Sequence, residues 1–278
     1  MKAKRLSAPE MEALARKIRA TIVRIIYEAG SGHPGGSLSC VDILLTLYFG
    51  VMRHDPSNPG WADRDRFILS KGHAAPALYT VLAEAGYMPK SVLSSLRGFD
   101  SPLQGHPDAQ KAPGVEVSSG SLGNGLSMSA GIAAALRLDG RSSRVYCLLG
   151  DGECDEGLVW EAAMLAAHLG LGNLTAIVDR NGLQIDGCTE DVVCLDPLAD
   201  KWRAFNWNVV EADGHDYRQL ATALDAAQRH TDGPTVIVAK TVKGKGVSFM
   251  EGVAAFHGKP PSKEQLDQAL RELEAGQP

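Results

Sequence analysis

Residues 145–181 read VYCLLGDGECDEGLVWEAAMLAAHLGLGNLTAIVDRN, and this stretch decides the fold. Val145–Leu149 is a short apolar run that stops at Gly150-Asp151-Gly152, and Leu174–Asp179 is another that stops just before Asn181. Apolar runs this short and bounded by turn residues read as strands covered on both faces. Glu156–Leu169 between them has helical spacing, so the unit is strand–helix–strand and its two strands are parallel neighbours. Asp151 and Asn181, 30 positions apart by subtraction, then stand at adjacent carboxyl ends of strands, where parallel sheets collect ligands. A G-D-G by itself is an ordinary turn. The Asn181 at the matching strand end is what makes it a candidate site.

The same alternation continues outward. Phe67–Leu69, Trp207–Glu211 and Pro234–Lys240 read as further strands, and 11–27, 41–52, 74–85, 126–138 and 217–228 as helices. This predicts an α/β fold, a mostly parallel sheet with helices on both faces, as a single domain over residues 1–278. Residues 31–37 read as a Gly/Ser/Pro turn and 101–125 as a long loop of the kind that is either functional or disordered. From about 262 the chain is a charged, irregular tail in which 262–274 would form an exposed helix.

Composition narrows the function classes. The chain has 278 residues, a net charge of −5, 44% apolar and 22% charged residues, which excludes a disordered chain. Without a Lys/Arg run it is not expected to bind nucleic acid. No apolar stretch approaches the roughly 18 residues of a membrane span, and Met1–Pro9 lacks the core of a signal peptide, so a cytoplasmic protein is expected. Five cysteines without a C-x-x-C pair point to reduced thiols rather than a disulfide or zinc framework.

The candidate ligating atoms are hard oxygens. The Asp151 carboxylate, the Asn181 amide oxygen and the Leu183 carbonyl would suit Mg2+ or Ca2+, with phosphate oxygens and water completing the shell. Gly150 and Gly152 let backbone approach a diphosphate closely. His33, His73, His106 and His257 sit beside Gly or Pro in loops, and none pairs at helical spacing as a zinc site would. Imidazoles so placed suit hydrogen bonding to phosphate and sugar hydroxyls and proton transfer near neutral pH. His54, His168, His215 and His230 read as structural. Gly120-Ser121-Leu122 precedes a helix start, a natural anion or dipole site. Gly35 and Gly36 leave substrate contacts in their turn to backbone or to Ser37.

Taken together, Ser31-Gly32-His33-Pro34-Gly35, Ser70-Lys71-Gly72-His73, Gly105-His106-Pro107, Gly120–Gly125, the G-D-G to Asn181 pair, Glu156, Glu161, Asp186-Gly187, Lys243–Val247 and His257-Gly258 occur in one order. This series resembles the diphosphate-binding half of the transketolase family from near the N-terminus to about residue 260. The resemblance implies a thiamine-diphosphate-binding fold and a thiamine diphosphate cofactor with Mg2+. By it, His33, His106 and His257 would face substrate and move protons, and His73 and His257 would contact the diphosphate. Lys243 would lie near the diphosphate end, and the backbone at Gly120 and Leu122 would meet the coenzyme rings. Ser121 stands where many members carry proline, and Glu156 would lie at a subunit contact near the coenzyme.

The resemblance also implies what this half lacks. The glutamate that activates the pyrimidine belongs to the family's next domain, so the chain reads as the N-terminal subunit of a split transketolase. Its partner would be a C-terminal subunit carrying that glutamate, in a heterotetramer acting on sugar phosphates. The activity implied is transfer of a two-carbon ketol unit from a ketose phosphate to an aldose phosphate. Alternatives are an alpha-type subunit of a 2-oxoacid dehydrogenase, a deoxyxylulose-phosphate-synthase-like protein, and a transketolase for a sulfosugar or branched sugar.

Overall fold

The computed structural model describes residues 5–185 and 187–275. Five strands form one sheet: β1 (Arg66–Leu69), β2 (Val145–Gly150), β3 (Leu174–Arg180), β4 (Asn208–Asp213) and β5 (Thr235–Lys240). Their order is β1-β2-β3-β5-β4, and every pairing is parallel. All carboxyl ends therefore open on one side. The register sets Gly150 opposite Asp179, and Arg180 opposite Lys240, so the residues that follow these strands converge.

Alternation along the strands divides the core. Phe67, Leu69, Tyr146, Leu148, Ile177 and Ile237 face one apolar cluster, while Ile68, Val145, Cys147, Leu149, Ala176 and Val178 face the other. The first cluster is filled by α1 (Ala8–Ala29), α3 (Val41–Thr46), α4 (Ala75–Ala85), α9 (Tyr217–Arg229) and α10 (Lys263–Ala275). The second is filled by α5 (Asn124–Leu138), α6 (Gly157–His168) and α8 (Leu198–Ala204). Strands buried on both faces have no polar alternation, which is why these segments read as unbroken apolar runs.

The helix over 41–52 is divided, with α3 passing into a π-helical turn at Leu47–Val51. Two other expectations need correction. Residues 31–37 are not simply a turn, because Pro34–Ser39 forms the short helix α2 after Gly32, whose φ is +151°. The tail is neither irregular nor simply exposed. α10 lies along α1 and buries Leu266, Ala269 and Leu273, while its charged residues face water. A further four-residue helix, α7 (Thr189–Val192), follows the loop after β3. Among the described residues no helix is long and apolar enough to cross a membrane.

Candidate active site

The cleft lies at the carboxyl ends of β1, β2, β3 and β5. It is lined by Lys71 and His73 after β1, Gly150–Glu153 after β2, Asn181 and Leu183–Ile185 after β3, and Lys243 after β5, with Gly36, Leu122 and His257. The enclosed part is small, about 80 Å3. Its glycines are places of close approach. A Cβ on Gly152 would come within 2.8 Å of Gln184 Cβ, and one on Gly36 within 3.2 Å of His73 Nε2.

Asp151 is buried, with its carboxylate accepting from the amides of Gly152 (2.9 Å) and Gly182 (2.6 Å) and facing Arg180 at 3.4 Å. Burial raises its pKa, and Asp179 nearby adds to the effect. Negative charge is thus held where solvent does not compensate it, the situation a bound cation relieves. Asn181 Oδ1 accepts from Leu183 N at 3.2 Å, which folds the post-β3 loop so that both residues line the cleft. Lys243 Nζ lies 3.0 Å from the Leu183 carbonyl and 3.1 Å from His257 Nδ1. Burial, with Lys71 beside it, pulls this ammonium down to about 8. Among the described residues no three His, Cys, Asp or Glu side chains are placed to hold a metal ion, so a cation here relies on amide and carbonyl oxygens as well as Asp151. That donor set fits Mg2+ rather than zinc.

Four histidines form the mouth. The His33 ring lies 5.3 Å from His73, 5.4 Å from His257 and 6.3 Å from His106. Burial lowers His33 to about 4, assisted by Arg97, and lowers His257 to about 4, assisted by Lys243. His73 and His106 are lowered as well, again chiefly by burial. All four are neutral at physiological pH, and a neutral imidazole can both donate and accept a hydrogen bond.

Gly120, Ser121 and Glu156 lie outside the enclosed part, on the exposed rim. They are not remote from it: a Cβ on Gly120 would stand 3.6 Å from the His106 ring, and one on Gly123 3.2 Å from Glu156 Cβ. Ser37 is fully buried and its hydroxyl donates to the His33 carbonyl at 2.7 Å, so it is not available to substrate. Asp186 lies outside the described residues. The three buried cysteines, Cys40, Cys147 and Cys154, all have raised pKa values, Cys40 to about 12, because burial penalises the thiolate.

Several side chains escaped the sequence reading. Lys71, fully buried, pairs with Asp179 and donates to Gly36 O at 2.9 Å, forming the floor. Glu153 ties three loops together, accepting from Ser70 Oγ, from Gly123 N at 2.8 Å and from Gly150 N at 2.9 Å. Arg97, at φ +62°, donates to Ser31 Oγ at 2.9 Å and reaches His33 Nδ1 at 3.5 Å. The one sequence trace of Arg97 is Gly105, where a Cβ would press to 2.9 Å against its guanidinium carbon.

Known proteins match this chain in sequence and fold. The family described as transketolase, thiamine diphosphate binding domain, matches residues 11–276. The 6-deoxy-6-sulfo-D-fructose transketolase subunit SqwG of Clostridium sp. (strain MSTE9) is 43% identical over 95% of this chain and 96% of its own. One of the apulose-4-phosphate transketolase subunits, that of Actinobacillus succinogenes, is 44% identical over 96% and 97%. Among solved structures, transketolase from Campylobacter jejuni superposes with a TM-score of 0.91 at 32% identity, over 97% of this chain but 43% of that one. Transketolase from Pichia stipitis with sedoheptulose-7-phosphate gives 0.90 at 34%, over 95% and 41%. The chain thus spans about two fifths of these solved transketolases and nearly all of the separate subunits. On this matching of motif order, fold and sequence, the chain belongs to the transketolase family, as its thiamine-diphosphate-binding domain.

Proposed function

We propose that this chain is the diphosphate-binding subunit of a split transketolase, and that with a separate C-terminal subunit it moves a two-carbon ketol unit between a ketose and an aldose. The observation that carries the reading is the convergence of Asp151, Asn181, Leu183, Lys243, His73 and His257 on one cleft at neighbouring strand ends. Asp151, Asn181 Oδ1 and the Leu183 carbonyl would hold Mg2+ (Ca2+ is the alternative), and His73, Lys243 and His257 would bind the diphosphate beside it. Thiamine diphosphate, when bound, supplies the nucleophilic carbon and the electron sink for C–C cleavage.

His33, His106 and His257 surround the entrance and exchange protons with the hydroxyl and carbonyl oxygens of the sugar. Their neutral form suits this task, because each can take one proton while offering another. Leu122 and the exposed Ile185, 66% open to solvent, border the cleft and would offer apolar surface to the coenzyme rings. Glu156 opens α6, whose outer side carries exposed Met164 and Leu165, and this side supports the expected subunit contact in a heterotetramer. The relatives' names favour a transketolase over a 2-oxoacid dehydrogenase subunit, and they support testing 6-deoxy-6-sulfo-D-fructose and apulose-4-phosphate as donors.

Isothermal calorimetry of the full chain with thiamine diphosphate and Mg2+ tests the reading. Binding is expected, and chelating the metal or making Asp151→Ala should weaken it by about 10-fold or more, the worth of one strong charge contact. Equal affinity with and without metal overturns the proposed clamp.

A further inference from the structure

His215 lies outside the cleft, after β4 at the sheet edge, and its sequence context marks it as structural. Its bonds give it a direction. Asp42 on α3, almost fully buried, accepts from Arg19 at 2.5 Å and His215 Nδ1 at 2.6 Å on one oxygen, and from Tyr217 Oη at 2.6 Å on the other. Burial opposes its charge, but Arg19 and His215 hold its pKa down to about 2. The other ring nitrogen, Nε2, lies 2.9 Å from the Val242 amide nitrogen. An amide N–H can only donate, so Nε2 accepts and the ring proton is on Nδ1, facing Asp42. The carboxylate fixes the tautomer that can receive Val242.

Val242 immediately precedes Lys243. The strand end around it is gripped from both sides: Gly214 N donates to Lys240 O at 2.7 Å, Thr241 N to Arg180 O at 3.0 Å, and Thr241 Oγ1 to Asp179. His215 supplies the corresponding hold on Val242, one residue before the ammonium that enters the cleft.

We infer that His215 is a positioning residue for the anion-binding end of the site: anchored by Asp42, it holds the Val242 amide and so sets the path by which Lys243 reaches the coenzyme diphosphate. The inference rests on the proposed role of Lys243. A merely structural His215 would cost stability in the same way whatever residue stood at 243.

A double-mutant cycle on the full chain, read by calorimetry with thiamine diphosphate and Mg2+, separates the two. His215→Phe should weaken binding about 10-fold in the parent chain, equivalent to about 1.4 kcal/mol, but less than about 2-fold in a Lys243→Met background. His215→Gln, whose side-chain oxygen can accept from Val242, should stay within about 3-fold of the parent. The same loss in both backgrounds, or no rescue by glutamine, overturns the inference. If His215→Phe does not fold, 15N NMR of the parent chain decides it: Nδ1 protonation with an accepting Nε2 is expected, and a proton on Nε2 overturns it. A parent chain that binds no coenzyme overturns the proposed function itself, whereas weakening by Lys243→Met without any effect of His215 overturns only this inference.

Discussion

Lys71 and Asp179 meet beneath the cleft, 1% and 0% exposed, with Ser39 and Thr241 satisfying the carboxylate. Burial alone would drive Lys71 to its neutral form, but Asp179 outweighs it and the ammonium's pKa is raised. Lys71→Met leaves Asp179 charged without its cation in a dry site, and should destabilise the chain by about 3–5 kcal/mol in urea denaturation. His33 gives a pH signature. Its pKa is lowered from 6.5 to about 4 on folding, first by burial, so between these values the unfolded chain binds more protons. Stability therefore rises with pH across that window and is flat above it. His33→Gln should shallow the rise in thermal midpoint between pH 4 and 6.5. At this scale the sequence leads to the cleft through residue types alone, since Asp151, Asn181, His73 and His257 all line it. The roles of Lys71, Glu153 and Arg97 are not legible there, because their partners lie 108, 83 and 66 positions away. Nothing in local spacing encodes such contacts.

Elements follow the same logic of burial. β2, β3 and β5 were readable because an apolar run between turns has few other fates, while β4 starts one residue late because Trp207 instead packs with Trp202 and donates to Ala163 O at 3.0 Å. α2 was hidden by its two glycines, whose weak helix preference is overridden by close packing: a Cβ on Gly35 would meet Lys243 Cγ and Phe256 O at 3.0 Å. The narrow apolar stripe of α10 among its charges does not reveal that a partner helix lies within its own chain. Ala269 is fully buried against that partner, so Ala269→Glu should cost about 3 kcal/mol or more by forcing a carboxylate into an apolar contact. At the start of α9, Asp216 accepts from the amides of Arg218 and Gln219, and Asp216→Ala should cost about 1 kcal/mol. Chemical denaturation measures both.

For the whole molecule, the proposed function makes the cleft one half of a shared site, with the activating glutamate on a separate subunit as the family resemblance implies. The purified chain should bind coenzyme yet show no ketol transfer from any ketose donor, and activity should appear on mixing with the C-terminal subunit. Turnover by the single chain in a coupled aldose-acceptor assay would contradict the split arrangement.

Strand order has a consequence for biosynthesis. β5 is the last of the described strands in sequence but lies between β3 and β4 in space. While the polypeptide emerges from the ribosome, β3 presents an uncovered hydrogen-bonding edge and β4 has no place to dock until residue 240 is free. The nascent chain thus keeps an adhesive β3 edge until β5 emerges, and the cleft is assembled only when the central gap closes.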